Sequence, residues 1–142
     1  MKALTIWQPW ASLLALQMKR YETRSWSTDY RGQLAIHAAK GFQKSQRAMF
    51  ECWPVYDYFK QNGIEYPGQL PLGAVIAVCD LVECIRITHA FVATQPKAER
   101  QLGDFTLGRY AWRLTNVTRI EPVYVRGQQG LWNCPDISRY FV

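Results

Sequence analysis

Gln17-Met18-Lys19-Arg20-Tyr21-Glu22-Thr23-Arg24 joins the end of an apolar segment to the most densely charged stretch of the chain. Upstream, Trp10, Leu13, Leu14 and Met18 recur at helical spacing, which predicts a helix over 9–17 with Pro9 in its first turn. Downstream, Tyr21 and Thr23 alternate with Arg20, Glu22 and Arg24, which predicts a strand over 20–26. On that strand Glu22 and Arg24 are two residues apart and share a face. Lys19 lies at the turn before them and can bend over the same face. Two cations around one carboxylate can grip a phosphate or a polarised carbonyl, while the carboxylate accepts from an exocyclic amine or a water. The plain alternative is a surface ion-pair ladder worth little.

Working outward, the sequence predicts strands over 2–7, 34–38, 74–88, 110–114 and 120–125. The long strand should bend or break near Asp80. Pro122 puts its own strand at an edge or a bulge. A helical pattern over 43–62 is interrupted by Pro54, which predicts a kink or two short helices. Residues 90–104 form a polar excursion with room for a short helix, and Asp136 can cap a last helical turn. Five or six strands with two or three helices make an α+β domain, and a barrel would remove exposed edges.

At 142 residues the chain has the size of one domain, 1–142. A domain of that length buries about 70% of its unfolded surface and needs no disulfide or metal to fold. Its hydrophobic fraction of 49% excludes intrinsic disorder. The apolar runs are too short for a bilayer and no signal peptide is visible, so a cytoplasmic protein without membrane contact is expected. Residues 1–60 carry nine basic against four acidic residues and 61–142 carry eight against seven. A basic first half suits a polyanion. Cys52, Cys79, Cys84 and Cys134 contain no C-x-x-C pair, which points to reduced, metal-free thiols. No cofactor fingerprint is present.

The segment 17–24 resembles the G-x-K-x-x-E-x-R hallmark of the ASCH domains of the PUA-like superfamily. Supporting resemblance lies in Trp7-Gln8-Pro9-Trp10, Gly32-Gln33-Leu34-Ala35-Ile36-His37-Ala38, Gly108-Arg109-Tyr110-Ala111-Trp112 and Arg126-Gly127-Gln128-Gln129-Gly130-Leu131-Trp132. The resemblance implies a small PUA-like β-barrel flanked by helices, with a cleft floored by the motif. It implies RNA or other nucleic acid as partner, or a nucleoside-like small molecule. Some small members are amidohydrolases that deacylate N4-acetylcytidine; their Lys matches Lys19 and their Arg matches Arg24. They carry Thr where this chain has Glu22, so that hydroxyl nucleophile is absent here. Another member is associated with ribonuclease activity. Gln17 stands at the motif's Gly, where a positive φ costs a residue with a side chain on the order of 1 kcal/mol.

The expected function is therefore nucleic-acid binding in a cleft containing Lys19, Glu22 and Arg24. Arg20, Trp26 and Arg31 are further ligand-binding candidates, and Lys40, Lys44 and Arg47 further phosphate contacts. The alternative is a hydrolase of a nucleoside amide or RNA phosphodiester, with Lys19 and Glu22 catalytic. It ranks second because Glu22 raises the pKa of the Lys19 amine that it needs lowered. Trp26 either stacks on a base or packs in the barrel. His37 is expected as a core or cleft-wall histidine and His89 as exposed. Glu99 and Asp104 read as solvated loop residues, with a second cleft carboxylate as the other possibility.

Overall fold

The computed structural model describes residues 1–138. Its strands are β1 (Lys2–Ile6), β2 (Tyr21–Arg24), β3 (Gly32–Ala38), β4 (Ala74–Arg86), β5 (Tyr110–Tyr124) and β6 (Leu131–Asn133). Its helices are α1 (Trp10–Ala15), α2 (Lys44–Glu51), α3 (Val55–Gln61), α4 (His89–Ala93) and α5 (Lys97–Gln101). The strands form one six-stranded sheet in the order β2-β5-β4-β3-β1-β6. β1 and β3 run parallel, and every other neighbouring pair is antiparallel.

Period-two alternation decides what each face buries. Leu4, Ile6, Leu34 and Ile36 meet Trp112 and Leu114 in the largest core, under α1. Ala3, Ala35 and Val75 turn the other way and pack with Val123 and Trp132. The curling comes from β4 and β5, whose register shifts at three places. One shift lies between Val78 and Asp80, where the bend was expected. Another leaves residues 120–122 facing Ile76 alone, so Pro122 sits in a bulge. The result is an α+β half-barrel flanked by helices, the predicted class.

Two predicted strands, 110–114 and 120–125, are one strand of 15 residues. The intervening residues 115–119 continue the pairing with β4, and Asn116 absorbs the extra residue of a bulge in the left-handed region (φ 52°). Its amide Nδ2 donates to Asp80 Oδ2 at 2.9 Å, which secures both sides of the bend. Pro54 divides 43–62 into α2 and α3, which pack through stacked Phe50 and Phe59 beside Leu13 and Leu102. The excursion over 90–104 holds two short helices, α4 and α5. Asp136 accepts from Ser138 N, and whatever follows of that turn lies outside the described residues.

The four thiols are free. Burial pushes Cys79 up to about 12 and raises Cys134. Among the described residues no His, Cys, Asp and Glu group is placed to hold a metal ion, and no helix is long and apolar enough to cross a membrane.

Candidate functional site

The placement of Lys19 begins with how α1 stops. Gln17 N donates to Leu14 O and Met18 N to Leu13 O, the paired bonds of a Schellman ending. That ending needs one left-handed residue, and Gln17 supplies it at φ 61°. Its Nε2 donates to Val117 O at 3.2 Å. The chain then turns at Lys19 into β2, which lies on the edge of the sheet beside β5.

Glu22 and Arg24 share a face of β2, as predicted. Arg24 Nε donates to Glu22 Oε2 at 3.1 Å, and its Nη2 lies 3.1 Å from the same oxygen. Nη2 also donates to Thr5 O at 2.8 Å, so this guanidinium ties the edge strand to β1 across the mouth of the half-barrel. Nη1 makes no bond within the described residues. Lys19 Nζ stands 4.0 Å from Glu22 Oε1, with only 1% of its side chain exposed. The segment through Gly103 covers it: a Cβ there would lie 3.4 Å from Nζ. Burial lowers the Lys19 pKa, outweighing the opposite pulls of Glu22 and Glu99, and Arg24 adds to the lowering.

These three side chains floor a pocket of about 460 Å³. Trp7 and Trp10 form part of its wall, α2 contributes Gln46 and Met49, and Gln101, Gly103, Asp104 and Arg109 close the far side. Arg109 Nη2 donates to Thr23 O at 3.1 Å, while its buried Nε has no hydrogen-bond partner among the described residues. Asp104 Oδ2 lies 3.4 Å from that Nε, a charge contact. Hydrogen bonding from the Thr106 hydroxyl holds the Asp104 pKa below the ordinary carboxylate value.

The remaining candidates are dispersed. Arg20 is exposed and pairs with Glu99 at 3.6 Å, outside the pocket lining. Arg31 is exposed and donates to Thr28 O and Tyr30 O. Trp26 packs edge-on against Trp112 at 4.8 Å, and its flank lines a neighbouring groove. Arg47 lies over the Phe42 ring, and neither it nor Lys44 lines the pocket. His89 is exposed. His37 is buried, and burial lowers its pKa. Its Nε2 must donate to Val125 O (2.8 Å), so Nδ1 accepts from Thr5 Oγ1 (3.1 Å), which in turn accepts from Trp132 Nε1.

Glu99 departs from the solvated-loop expectation. It is 3% exposed, and its carboxylate accepts from Arg20 N at 2.8 Å and Tyr21 N at 3.4 Å. It anchors the entry to β2 and does not line the pocket. Trp7, Trp10 and Arg109 line the pocket; the charged motif does not point to them, and Trp10 by its sequence context reads as mainly structural, although the segments around all three carry the family resemblance.

Activating signal cointegrator 1 of Mus musculus is 39% identical over 82 residues, 58% of this chain and 14% of that protein. Its Homo sapiens counterpart is 38% identical over the same length and shares. The match therefore spans a small part of those relatives. The fold is similar to the crystal structure of ASCH from Zymomonas mobilis, with TM-score 0.52, 15% identity, and coverage of 87% of this chain and 73% of that one. A point mutant of that protein superposes with the same TM-score and identity, over 75% of its own chain. The ASCH domain family model matches residues 4–124, nearly the whole half-barrel. With the motif on the floor of its pocket and that match across the sheet, the chain belongs to the ASCH domain family.

Proposed function

We propose that the protein binds nucleic acid, with one nucleotide seated in the pocket over Lys19, Glu22 and Arg24. The observation that carries this reading is the state of the floor. A buried amine and a guanidinium flank one carboxylate, and the Nη1 of the guanidinium has no partner among the described residues. A cavity of about 460 Å³ lies within the usual range of small-ligand sites. Glu22 can accept from an exocyclic amine of a base, Arg24 can donate to a carbonyl or phosphate, and the tryptophans offer ring faces.

A second reading, hydrolysis of a nucleoside amide, is favoured by one observation: burial lowers the Lys19 pKa against both carboxylates. A neutral Lys19 would take a proton from water as the water oxygen bonds to the acyl carbon. The C–N bond then breaks, and the Lys19 ammonium returns the proton to the departing nitrogen.

Titration with single-stranded oligonucleotides and a panel of N4-acylated cytidines tests both readings, with anisotropy reporting binding and chromatography reporting product. Binding without product is the expected result. Product from an acylcytidine would move the assignment to the hydrolase, and no binding with no product would end both.

A further inference from the structure

The pocket is not isolated. A groove of about 1200 Å³ adjoins it, and Arg24 and Trp7 line both. That volume exceeds the roughly 1,000 Å³ upper end of ordinary small-molecule sites, so an extended occupant fits it better. Among the described residues, the charged side chains lining the groove are Arg24, Lys40 and Arg126, with no Asp or Glu. A third cavity, of about 800 Å³ elsewhere on the sheet, sets Asp80 and Glu121 against the single cation Arg119. The difference separates a surface suited to a polyanion from one that is not.

The groove also carries ring faces. Tyr124 is 72% exposed and Trp7 43%. Trp7 is nevertheless held in place: Gly41 passes so close that a Cβ there would lie 2.8 Å from the ring. The opposite wall is fixed in the same way. A Cβ on Gly127 would come within 2.6 Å of the His37 ring and 2.8 Å of Thr5 Oγ1, so the loop through 126–130 is seated on buried, mutually bonded side chains. A pre-ordered Trp7 ring beside cations lowers the ordering cost of binding a flexible chain, and Tyr124 adds an exposed ring face.

From this we infer that a single strand of nucleic acid leaves the motif pocket through the groove, its phosphates meeting Arg24, Lys40 and Arg126 and its bases stacking on Trp7 and Tyr124. The inference rests on the reading that the pocket takes a nucleotide, and it commits that reading to a polymer over a free nucleoside.

The test compares a mononucleotide with single-stranded RNA and DNA oligonucleotides of increasing length, across a range of salt. Wild type, Arg126→Ala and Tyr124→Ala are used; both side chains are exposed, and melting curves check folding. Affinity should rise with length, and its salt dependence should steepen. Arg126→Ala should flatten the slope of log affinity on log salt by about 0.7 for the longer strands. Tyr124→Ala should weaken the longer strands about fivefold or more, with the mononucleotide unaffected. If the mononucleotide binds and length adds nothing, the strand path is wrong and the pocket reading stands. If the mononucleotide and every oligonucleotide fail to bind, the pocket reading falls too. Longer strands insensitive to both substitutions would remove the groove from the path. Polyglutamate binding as tightly as RNA would assign the groove to acidic peptides and overturn the proposal.

Discussion

Two buried carboxylates meet the same short strand from different regions of the molecule, and they do different work. Glu99, on α5, spends its oxygens on the backbone amides of Arg20 and Tyr21. Glu22, on β2 itself, spends its oxygens on side-chain cations that line a cavity. Backbone amides have no other acceptor once the strand is in place, so Glu99 is bound into the fold. The cations around Glu22 keep donor capacity toward the cavity, so that group can be shared with a ligand. Equal burial therefore does not mean equal role; the partners decide.

Glu99→Ala should break this comparison most visibly. It leaves buried amide donors unanswered and should lower unfolding free energy by about 3 kcal/mol in urea denaturation. Nucleic-acid affinity per folded molecule should be little changed. Glu22→Gln, which keeps the volume and an acceptor for Arg24, should show the reverse order, losing about 1–2 kcal/mol of stability but most of the binding. Equal stability losses in the two variants would dissolve the distinction.

A smaller effect concerns pH. The folded Lys19 pKa lies below its ordinary 10.5. Between that lowered value and 10.5 the unfolded chain holds a proton that the folded chain has released. Stability then rises with pH through this window and gains nothing further above it. Measured against Lys19→Met, the wild type should gain relative stability as pH climbs toward 10.5. A constant difference across the alkaline range would mean that Lys19 is not desolvated.

The smallest expected effect is Gln17→Gly. The left-handed φ costs Gln on the order of 1 kcal/mol, partly offset by the greater unfolded-state freedom of Gly. A gain of about 0.5 kcal/mol in unfolding free energy, with unchanged ligand affinity, is expected. Loss of affinity would show that Gln17 helps to set Lys19.

Much of the half-barrel and the floor of its pocket could be read from the chain because both rest on local rules. Alternation placed Glu22 and Arg24 on one face. The motif's Gly position left two outcomes for Gln17, a different helix ending or a left-handed residue at a cost, and the φ of 61° is the second. Glu99 escaped that reading because its partners lie 78 and 79 residues away, and nothing in the neighbourhood of α5 signals a buried acceptor. Arg20 and Arg31 do not line the pocket; charge is visible in sequence and direction is not. The continuity of β5 was hidden by Asn116, a turn-favouring residue used here as a bulge. The pocket walls from Trp7, Gln46, Met49 and Arg109 are assembled by tertiary packing alone.

The central claim is that the Lys19, Glu22 and Arg24 group serves a ligand, beyond the tie that Arg24 makes to β1. Lys19→Ala is a poor probe, because removing a side chain only 1% exposed leaves a cavity. Lys19→Met keeps most of the volume and leaves Glu22 paired with Arg24. The decisive measurement is single-stranded RNA affinity by anisotropy on this variant, alongside its melting curve. The account predicts an affinity loss of about tenfold or more, the equivalent of 1.4 kcal/mol, with a melting temperature equal to or above that of the wild type. A large fall in melting temperature with affinity per folded molecule unchanged would contradict it.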